Sequence, residues 1–76
     1  MKEAVEKIIK AIVAQPDAVE VSEIADGKNV KIEVRVADGD MGKIIGREGR
    51  TVKAIRSILF FAGQKQGKRF QLDLVE

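Results

Sequence analysis

The segment over residues 41–59, MGKIIGREGRTVKAIRSIL, decides the fold that we predict for this chain. Two of its glycines, Gly46 and Gly49, stand three residues apart between segments with helical spacing. A helix can end at Gly46, because glycine adopts a left-handed backbone without a Cβ clash, and Gly49 opens the next helix. The tight turn between them brings bare backbone to the surface beside the positive end of the second helix. Such a turn is suited to binding a phosphate.

This glycine spacing has two interpretations. A bare GxxG pattern is weak evidence, because seven glycines in 76 residues often fall three apart, and a helix-turn-helix corner with two capping glycines explains it as well. The flanking residues favour a phosphate site. Apolar residues stand at Ile44, Ile45, Val52 and Ile55, and basic residues at Lys43, Arg47, Arg50, Lys53 and Arg56. Walker and dinucleotide-binding loops have different glycine spacings and are excluded.

The composition excludes several kinds of site. The chain has no cysteine and no histidine, so disulfides, Cys/His zinc clusters and histidine-based catalysis are not expected. Without those residues nothing activates a serine or threonine hydroxyl, and we expect neither an enzyme nor a cofactor. Asp38 and Asp40 could be imagined to bind a metal with Glu48, but a helix start explains such acids more simply. No apolar run approaches the roughly 20 residues that span a bilayer, so we expect a soluble, cytoplasmic protein without membrane insertion.

Charge is unevenly distributed along the chain. Residues 1–40 carry six Lys or Arg and nine Asp or Glu, a net charge of −3, whereas residues 41–76 carry eight and three, a net charge of +5. One interpretation is that these charges only solvate a small domain. Because the basic excess lies on and after the glycine pair, it also fits the electrostatic footprint of a polyanion-binding protein.

Hydrophobic periodicity predicts six elements in one α+β domain. In chain order they are a helix over residues 2–14, a strand over 17–25 with a bulge near Ser22 or Glu23, a strand over 30–36, a short helix over 40–45, a helix over 50–64 and a strand over 70–74. Pro16 is expected to end the first helix, and Asp38 to cap the short one. The core face of the fifth element is predicted to hold Val52, Ile55, Ile58, Leu59 and Ala62. A basic loop, 64–68, follows it.

The order α-β-β-α-α-β, with GxxG between the second and third helices, resembles the type II KH fold. From the element order itself we expect a small, three-stranded, mostly antiparallel sheet with the helices on one face. The core IIGREGRTVKAIR, the length and the proline after the first helix resemble the KhpA family of single-domain bacterial KH proteins. The resemblance covers essentially the whole chain, so residues 1–76 are interpreted as one KH domain with its GxxG loop at 46–49. It implies an RNA chaperone or post-transcriptional regulator that binds single-stranded RNA.

The resemblance also implies how the site works. A KH loop clamps the backbone of about four nucleotides, here through the backbone N–H groups of Arg47, Glu48 and Gly49, while basic side chains attract phosphates without regard to sequence. Unstacked bases would enter an apolar groove beside the outer edge of the strand over 30–36. The residues expected to bind RNA are Lys43, Ile44, Ile45, Gly46, Arg47, Glu48, Gly49, Arg50, Val52, Lys53, Val34 and Arg35. No aromatic residue lies in the motif, so base stacking on rings is not expected.

Glu48 departs from the family pattern. Family loops often carry two basic residues between the glycines, whereas a carboxylate near a phosphate opposes binding. We expect Glu48 to favour the start of the following helix through its charge.

The adjacent residues Phe60 and Phe61 cannot both face the same core. Either one of them fills a gap between helices, or at least one forms, with Arg56, a surface for self-association or for a partner. The resemblance implies pairing with a second KH-containing protein, KhpB (also called Jag), as well as self-association. An alternative function is a protein-interaction subunit with a weak or vestigial nucleic-acid site.

Overall fold

Three α-helices and three strands follow one another in the predicted order α-β-β-α-α-β. The computed structural model describes residues 1–75. The elements are α1 (Lys2–Ile12), β1 (Glu20–Asp26), β2 (Asn29–Arg35), α2 (Met41–Ile45), α3 (Arg50–Gln66) and β3 (Arg69–Val75). Short 3-10 turns lie at Pro16–Ala18, Asp38–Asp40 and Arg47–Gly49. The α+β fold class is therefore confirmed.

The three strands form one sheet in the order β1-β2-β3. β1 and β2 are antiparallel, with Glu20 opposite Arg35, whereas β2 and β3 are parallel, with Asn29 opposite Arg69. The sheet is thus mixed, and the expectation of a mostly antiparallel sheet was wrong. The reason is the α2–α3 segment, which carries the chain back to the starting end of β2, as a parallel connection requires.

The core lies between one face of the sheet and the helices. Alternate residues of β2 point towards the helices, and all three of these side chains, Val30, Ile32 and Val34, are buried. The other largest fully buried side chains come from helices: Val5, Ile9, Ile44 and Leu59. The opposite face of the sheet is polar, and there the Nζ atom of Lys31 lies 3.4 Å from an Asp73 carboxylate oxygen. Helices on one face are therefore as predicted.

β1 contains no bulge. Each of its residues from Glu20 to Asp26 has a partner in an unbroken register with β2. Ile24, which disturbed the predicted alternation, pairs with Lys31 on the open face and is 51% exposed. The irregular pattern therefore reflects an apolar residue on the open face. Asp17 and Ala18, predicted to be in the strand, lie in the 3-10 turn that begins at Pro16.

α1 ends at Ile12, two residues before the predicted end. Val13 is already extended, with φ −81° and ψ 157°, and its side chain is buried. The next two backbone N–H groups, of Ala14 and Gln15, donate to the carboxylate of Asp40. The backbone N–H groups that follow the helix are thus bound by a side chain distant in sequence, and the helix ends before Pro16.

α3 extends to Gln66, two residues beyond its predicted end. Gly63 lies buried inside the helix, where a Cβ atom would collide with the carbonyl oxygen of Lys68. The predicted loop over 64–68 is consequently reduced to a tight turn at Gly67, whose φ is +66°. Ile58, predicted to be in the core, is 51% exposed, because the buried face of α3 is centred on Ile55 and Leu59. Within residues 1–75, no helix has both the length and the apolar character to cross a membrane.

Candidate nucleic-acid interface

The GREG loop, residues 46–49, joins α2 to α3 through one 3-10 turn. The N–H of Gly46 donates to the carbonyl of Gly42 at 2.9 Å and ends α2, and the N–H of Gly49 donates to the carbonyl of Gly46 at 3.2 Å. Of the three N–H groups expected to bind phosphate, that of Gly49 therefore already donates a hydrogen bond within the loop. The N–H groups of Arg47 and Glu48 stand at the start of the turn, where helical geometry supplies no acceptor.

Both glycines of the loop have backbones that favour glycine. Gly46 has φ 76° and ψ 175°, and Gly49 has φ 73° and ψ 16°. Gly46 also has no room for a side chain, because a Cβ atom would collide with the side chain of Thr51 in the first turn of α3. The close contact between Gly46 and Thr51 was not visible in the sequence.

Glu48 is the only residue other than glycine with a positive φ among residues 1–75, at 57°. Its carboxylate lies 3.6 Å from the guanidinium of Arg50, and both side chains are about three-quarters exposed. Such an exposed ion pair contributes little to stability. Its main consequence is electrostatic, since the carboxylate offsets one of the cations beside the loop.

Four exposed cations surround the loop: Lys43 on α2, Arg47 in the turn, and Arg50 and Lys53 on α3. Lys43 lies 3.6 Å from the carboxylate of Asp40. The structure brings the four predicted basic residues together around one end of α3. This end of the molecule can therefore attract a polyanion.

The apolar residues predicted to line the base groove lie elsewhere. Ile44 is fully buried and Val52 is 7% exposed, so both belong to the core, and only Ile45 reaches the surface, at 40% exposure. Val34 is fully buried and Arg35 lies on the open face of the sheet, away from the helices. β2 has no outer edge, because it pairs with β1 and β3. The predicted groove beside β2 was therefore wrong, since the sequence does not give the order of the strands.

A groove does exist between α3 and the edge strand β3. Its volume is about 540 Å³. Arg56 and Leu59 line it from α3, and Phe70 and Leu72 line it from β3. Because α3 and β3 are joined by a tight turn and run in opposite directions, the GREG loop lies towards the end of β3. Alternation of Phe70, Leu72 and Leu74 after the helix was the sequence signal for this strand.

Neither phenylalanine of α3 fills the core. Phe60 is 53% exposed and Phe61 is 68% exposed, with their ring centroids 5.7 Å apart. The idea that one of them fills a gap between helices was wrong. At 100° per residue, Phe61 lies with Ile58 on the face of α3 that points away from the sheet, whereas Phe60 lies on the same side of the helix as Arg56, which lines the groove.

Asp40 is the buried polar residue that the sequence did not reveal. It is 2% exposed, and its two carboxylate oxygens accept hydrogen bonds from the N–H groups of Ala14, at 3.1 Å, and Gln15, at 3.0 Å. Burial by itself would raise the pKa of Asp40, but these two donors and the Lys43 ammonium lower that pKa below its ordinary value. The predicted cap, Asp38, makes no side-chain capping bond. Among residues 1–75, no three Asp or Glu side chains are grouped to hold a metal.

Comparison with known proteins shows which family the chain belongs to. A family model described as KhpA/KhpB, KH domain, matches residues 2–74. The chain is 49% identical over 76 residues to the RNA-binding protein KhpA of Halalkalibacterium halodurans, with all of both chains covered. It is 43% identical to the RNA-binding protein KhpA of Aquifex aeolicus, covering 100% of this chain and 96% of that protein.

A third relative is the RNA-binding protein KhpA of Clostridium acetobutylicum, 41% identical with 99% of this chain and 100% of that protein covered. No significant match to a solved structure was found. The matched residues, 2–74, include the GxxG loop between α2 and α3. The chain belongs to the KhpA/KhpB family of KH domains, which is not a family of enzymes.

Proposed function

We propose that this protein binds single-stranded RNA, with phosphates at the GREG loop and bases in the groove between α3 and β3. The observation that carries the proposal is the position of the loop. It presents the N–H groups of Arg47 and Glu48 at the start of the seventeen-residue helix α3, among four exposed cations. The relatives named RNA-binding protein KhpA support RNA as the ligand.

The groove provides the second half of the site. β3 is an edge strand, so along one side its backbone N–H and carbonyl groups have no strand partner and can bond to base edges. Leu59 and Leu72 give the groove an apolar floor for unstacked bases, and the guanidinium of Arg56 offers a plane on which a base can stack. Phosphates would fix the position of the RNA, and base edges would set its sequence preference.

Fluorescence anisotropy with a labelled single-stranded RNA tests this proposal. Arg47→Asp should weaken binding at low salt at least about tenfold, because it removes a cation and places a carboxylate beside the phosphate. The matched control is Lys7→Asp, which makes the same charge change on the exposed side of α1. Equal affinity of the two variants, both folded by circular dichroism, would show that the GREG loop is not the site.

The biological role that we infer is an RNA chaperone or post-transcriptional regulator. One KH clamp contacts about four nucleotides, so useful affinity calls for a second site on a partner. A KhpB (Jag)-type KH protein fits this need, since one family model describes the KH domains of both KhpA and KhpB. A cytoplasmic location follows from RNA as the ligand.

A second function, protein interaction, is favoured by one specific observation. Ile58 and Phe61 form an exposed apolar pair on the outward face of α3, and the Phe60 ring touches that of Phe61. We infer that this pair supports self-association or pairing with another KH protein. Light scattering tests it: Phe61→Glu should lower the apparent mass, whereas Ser22→Glu, which adds the same charge on the open face of the sheet, should not. A wild-type protein that is monomeric at every concentration would contradict self-association.

A further inference from the structure

A second hollow lies at the end of α3 that is far from the GREG loop. Its volume is about 700 Å³. Its walls come from three segments: the β1–β2 turn, the last turns of α3, and the start of β3. The residues around it are Lys28, Asn29, Phe60, Gly63, Gln64, Gly67, Lys68, Arg69 and Phe70. We call it the basic hollow.

Among residues 1–75, the lining of the basic hollow carries three positive charges and no negative charge. Lys28 comes from the β1–β2 turn, and Lys68 and Arg69 come from the α3–β3 turn. The N–H of Arg69 donates to the carbonyl of Lys28 at 2.7 Å, which fastens the two turns together and brings the cations to one place. None of the four ion pairs found among residues 1–75 involves these three side chains. Their charges are therefore available to an anion.

Two aromatic rings lie among these cations. Phe60 borders the hollow from α3 and Phe70 borders it from β3. Phe60 is 53% exposed, so its ring is open to a ligand. Cations interleaved with exposed aromatic rings are the usual means of binding single-stranded nucleic acid, because the cations track the backbone and the rings stack on bases.

The basic hollow is continuous with the groove proposed to receive RNA. Phe70 lines both of them, and the two share the wall formed by α3 and β3. α3 has seventeen residues, so at 1.5 Å per residue the hollow lies about 25 Å from the GREG loop. A nucleic-acid strand that leaves the groove away from the loop therefore enters the hollow. This continuity favours RNA over an acidic protein as the occupant.

We propose that the basic hollow is a second RNA-contact site, which binds nucleotides beyond those held at the GREG loop. Lys28, Lys68 and Arg69 neutralise phosphates there, and Phe60 stacks on a base. The proposal rests on the proposed function, since the same RNA strand occupies both sites. It makes affinity dependent on RNA length, which a loop clamp alone does not.

The experiment compares two labelled oligouridylates, of about four nucleotides, the length of one KH clamp, and of about twelve, which reaches both sites. The test variant is Lys28→Gln/Lys68→Gln/Arg69→Gln. The control, Lys2→Gln/Lys7→Gln/Lys10→Gln, removes the same charge from α1. A Phe60→Ala variant isolates stacking, and circular dichroism checks folding.

The hollow variant should bind the longer RNA at least about tenfold more weakly at low salt, with a log–log salt slope shallower by about two. Its affinity for the shorter RNA, and the control's affinity for both, should change less than about twofold. Phe60→Ala should weaken only the longer RNA, by about fivefold or more.

An unchanged affinity and salt slope of the hollow variant for the longer RNA would overturn the second site, as would an equal loss for both lengths. A polyglutamate peptide of matched charge serves as a competitor. If it competes as effectively as unlabelled longer RNA, the hollow is a general anion site and the proposal of a second RNA site is overturned. Failure of the proposed function looks different, because Arg47→Asp would then leave the shorter RNA's binding unchanged.

Discussion

The carboxylate of Asp40 accepts a hydrogen bond from the backbone N–H of Gln15 at 3.0 Å, across 25 positions of sequence. Asp40 immediately precedes α2, a five-residue helix that leads directly into the GREG loop. A helix this short is not stable in isolation, so its position depends on what anchors its ends. Asp40 ties the start of α2 to the segment that follows α1, and in this way supports the loop.

We expect Asp40→Asn to lower the thermal midpoint by several degrees or more, because an amide loses the charge and presents an N–H₂ group to one of the two backbone donors. The amides of Ala14 and Gln15 should also exchange hydrogen faster. The matched control is Asp38→Asn, since Asp38 is exposed and makes no capping bond. Equal midpoints for the two variants would show that the buried carboxylate does not support the fold.

The stabilisation from Asp40 should depend on pH in one direction. Its pKa is lowered in the folded protein from an ordinary value of 3.8, so the folded state favours the ionised form. The resulting stability is present above pH 3.8 and is lost as the pH falls through the folded-state pKa. The difference in midpoint between the wild type and Asp40→Asn should therefore be constant near neutrality and shrink below about pH 4. A difference that grows on acidification would contradict this linkage.

Gly46→Ala should destabilise the protein by about 1–3 kcal/mol, the cost of a backbone conformation reserved for glycine, with an added cost from the collision with Thr51. Gly42→Ala is the control, because that glycine lies in α2 with open space around it and alanine favours helices. Urea denaturation measures both. Adding Thr51→Ala to Gly46→Ala should recover only the part due to the Thr51 hydroxyl, because the Cβ atom and the backbone nitrogen at that position remain in place. Full recovery would show that the backbone of Gly46 imposes no constraint.

Glu48→Asn should strengthen RNA binding about twofold to fivefold at low salt, since it removes a carboxylate that is paired with Arg50 beside the loop. Asparagine also tolerates the positive φ of this position better than glutamate, so stability should rise slightly. Glu48→Gln removes the charge without that conformational benefit and serves as the comparison. Anisotropy titrations at two salt concentrations measure the effect, which should disappear at high salt. Weaker binding of both variants would mean that the carboxylate helps to hold the ligand.

Local periodicity was sufficient to predict the type and order of the elements. β2 was predicted from the alternation of Val30, Ile32 and Val34, and α3 from its helical spacing. The place of β2 at the centre of the sheet was not predictable, because strand order depends on how the α2–α3 connection crosses the sheet. Val34 and Arg35 were therefore assigned to an edge that does not exist.

The candidate site likewise has parts that could be predicted from the sequence and parts that could not. The GREG loop and its cations were visible because they are contiguous in sequence. The groove beside β3, the basic hollow and the anchor at Asp40 were not, because each joins residues that are distant along the chain. Asp40 and Gln15, for example, carry no local pattern that links them, and Lys28 meets Arg69 only through the parallel pairing of β2 with β3.

Gly63→Ala tests how closely α3 must approach β3. Alanine in place of glycine inside a helix normally stabilises it, by about 0.5–1 kcal/mol. Here the new Cβ would collide with the carbonyl oxygen of Lys68, a backbone atom that cannot move without shifting the α3–β3 turn. Overpacking of this kind costs about 1–3 kcal/mol, so we expect net destabilisation in urea denaturation. Because the same turn carries Lys68 and Arg69, the variant should also bind the longer RNA less tightly. A variant that is more stable and binds the longer RNA as well as the wild type would show that the close approach of Gly63 to the Lys68 carbonyl is not a constraint.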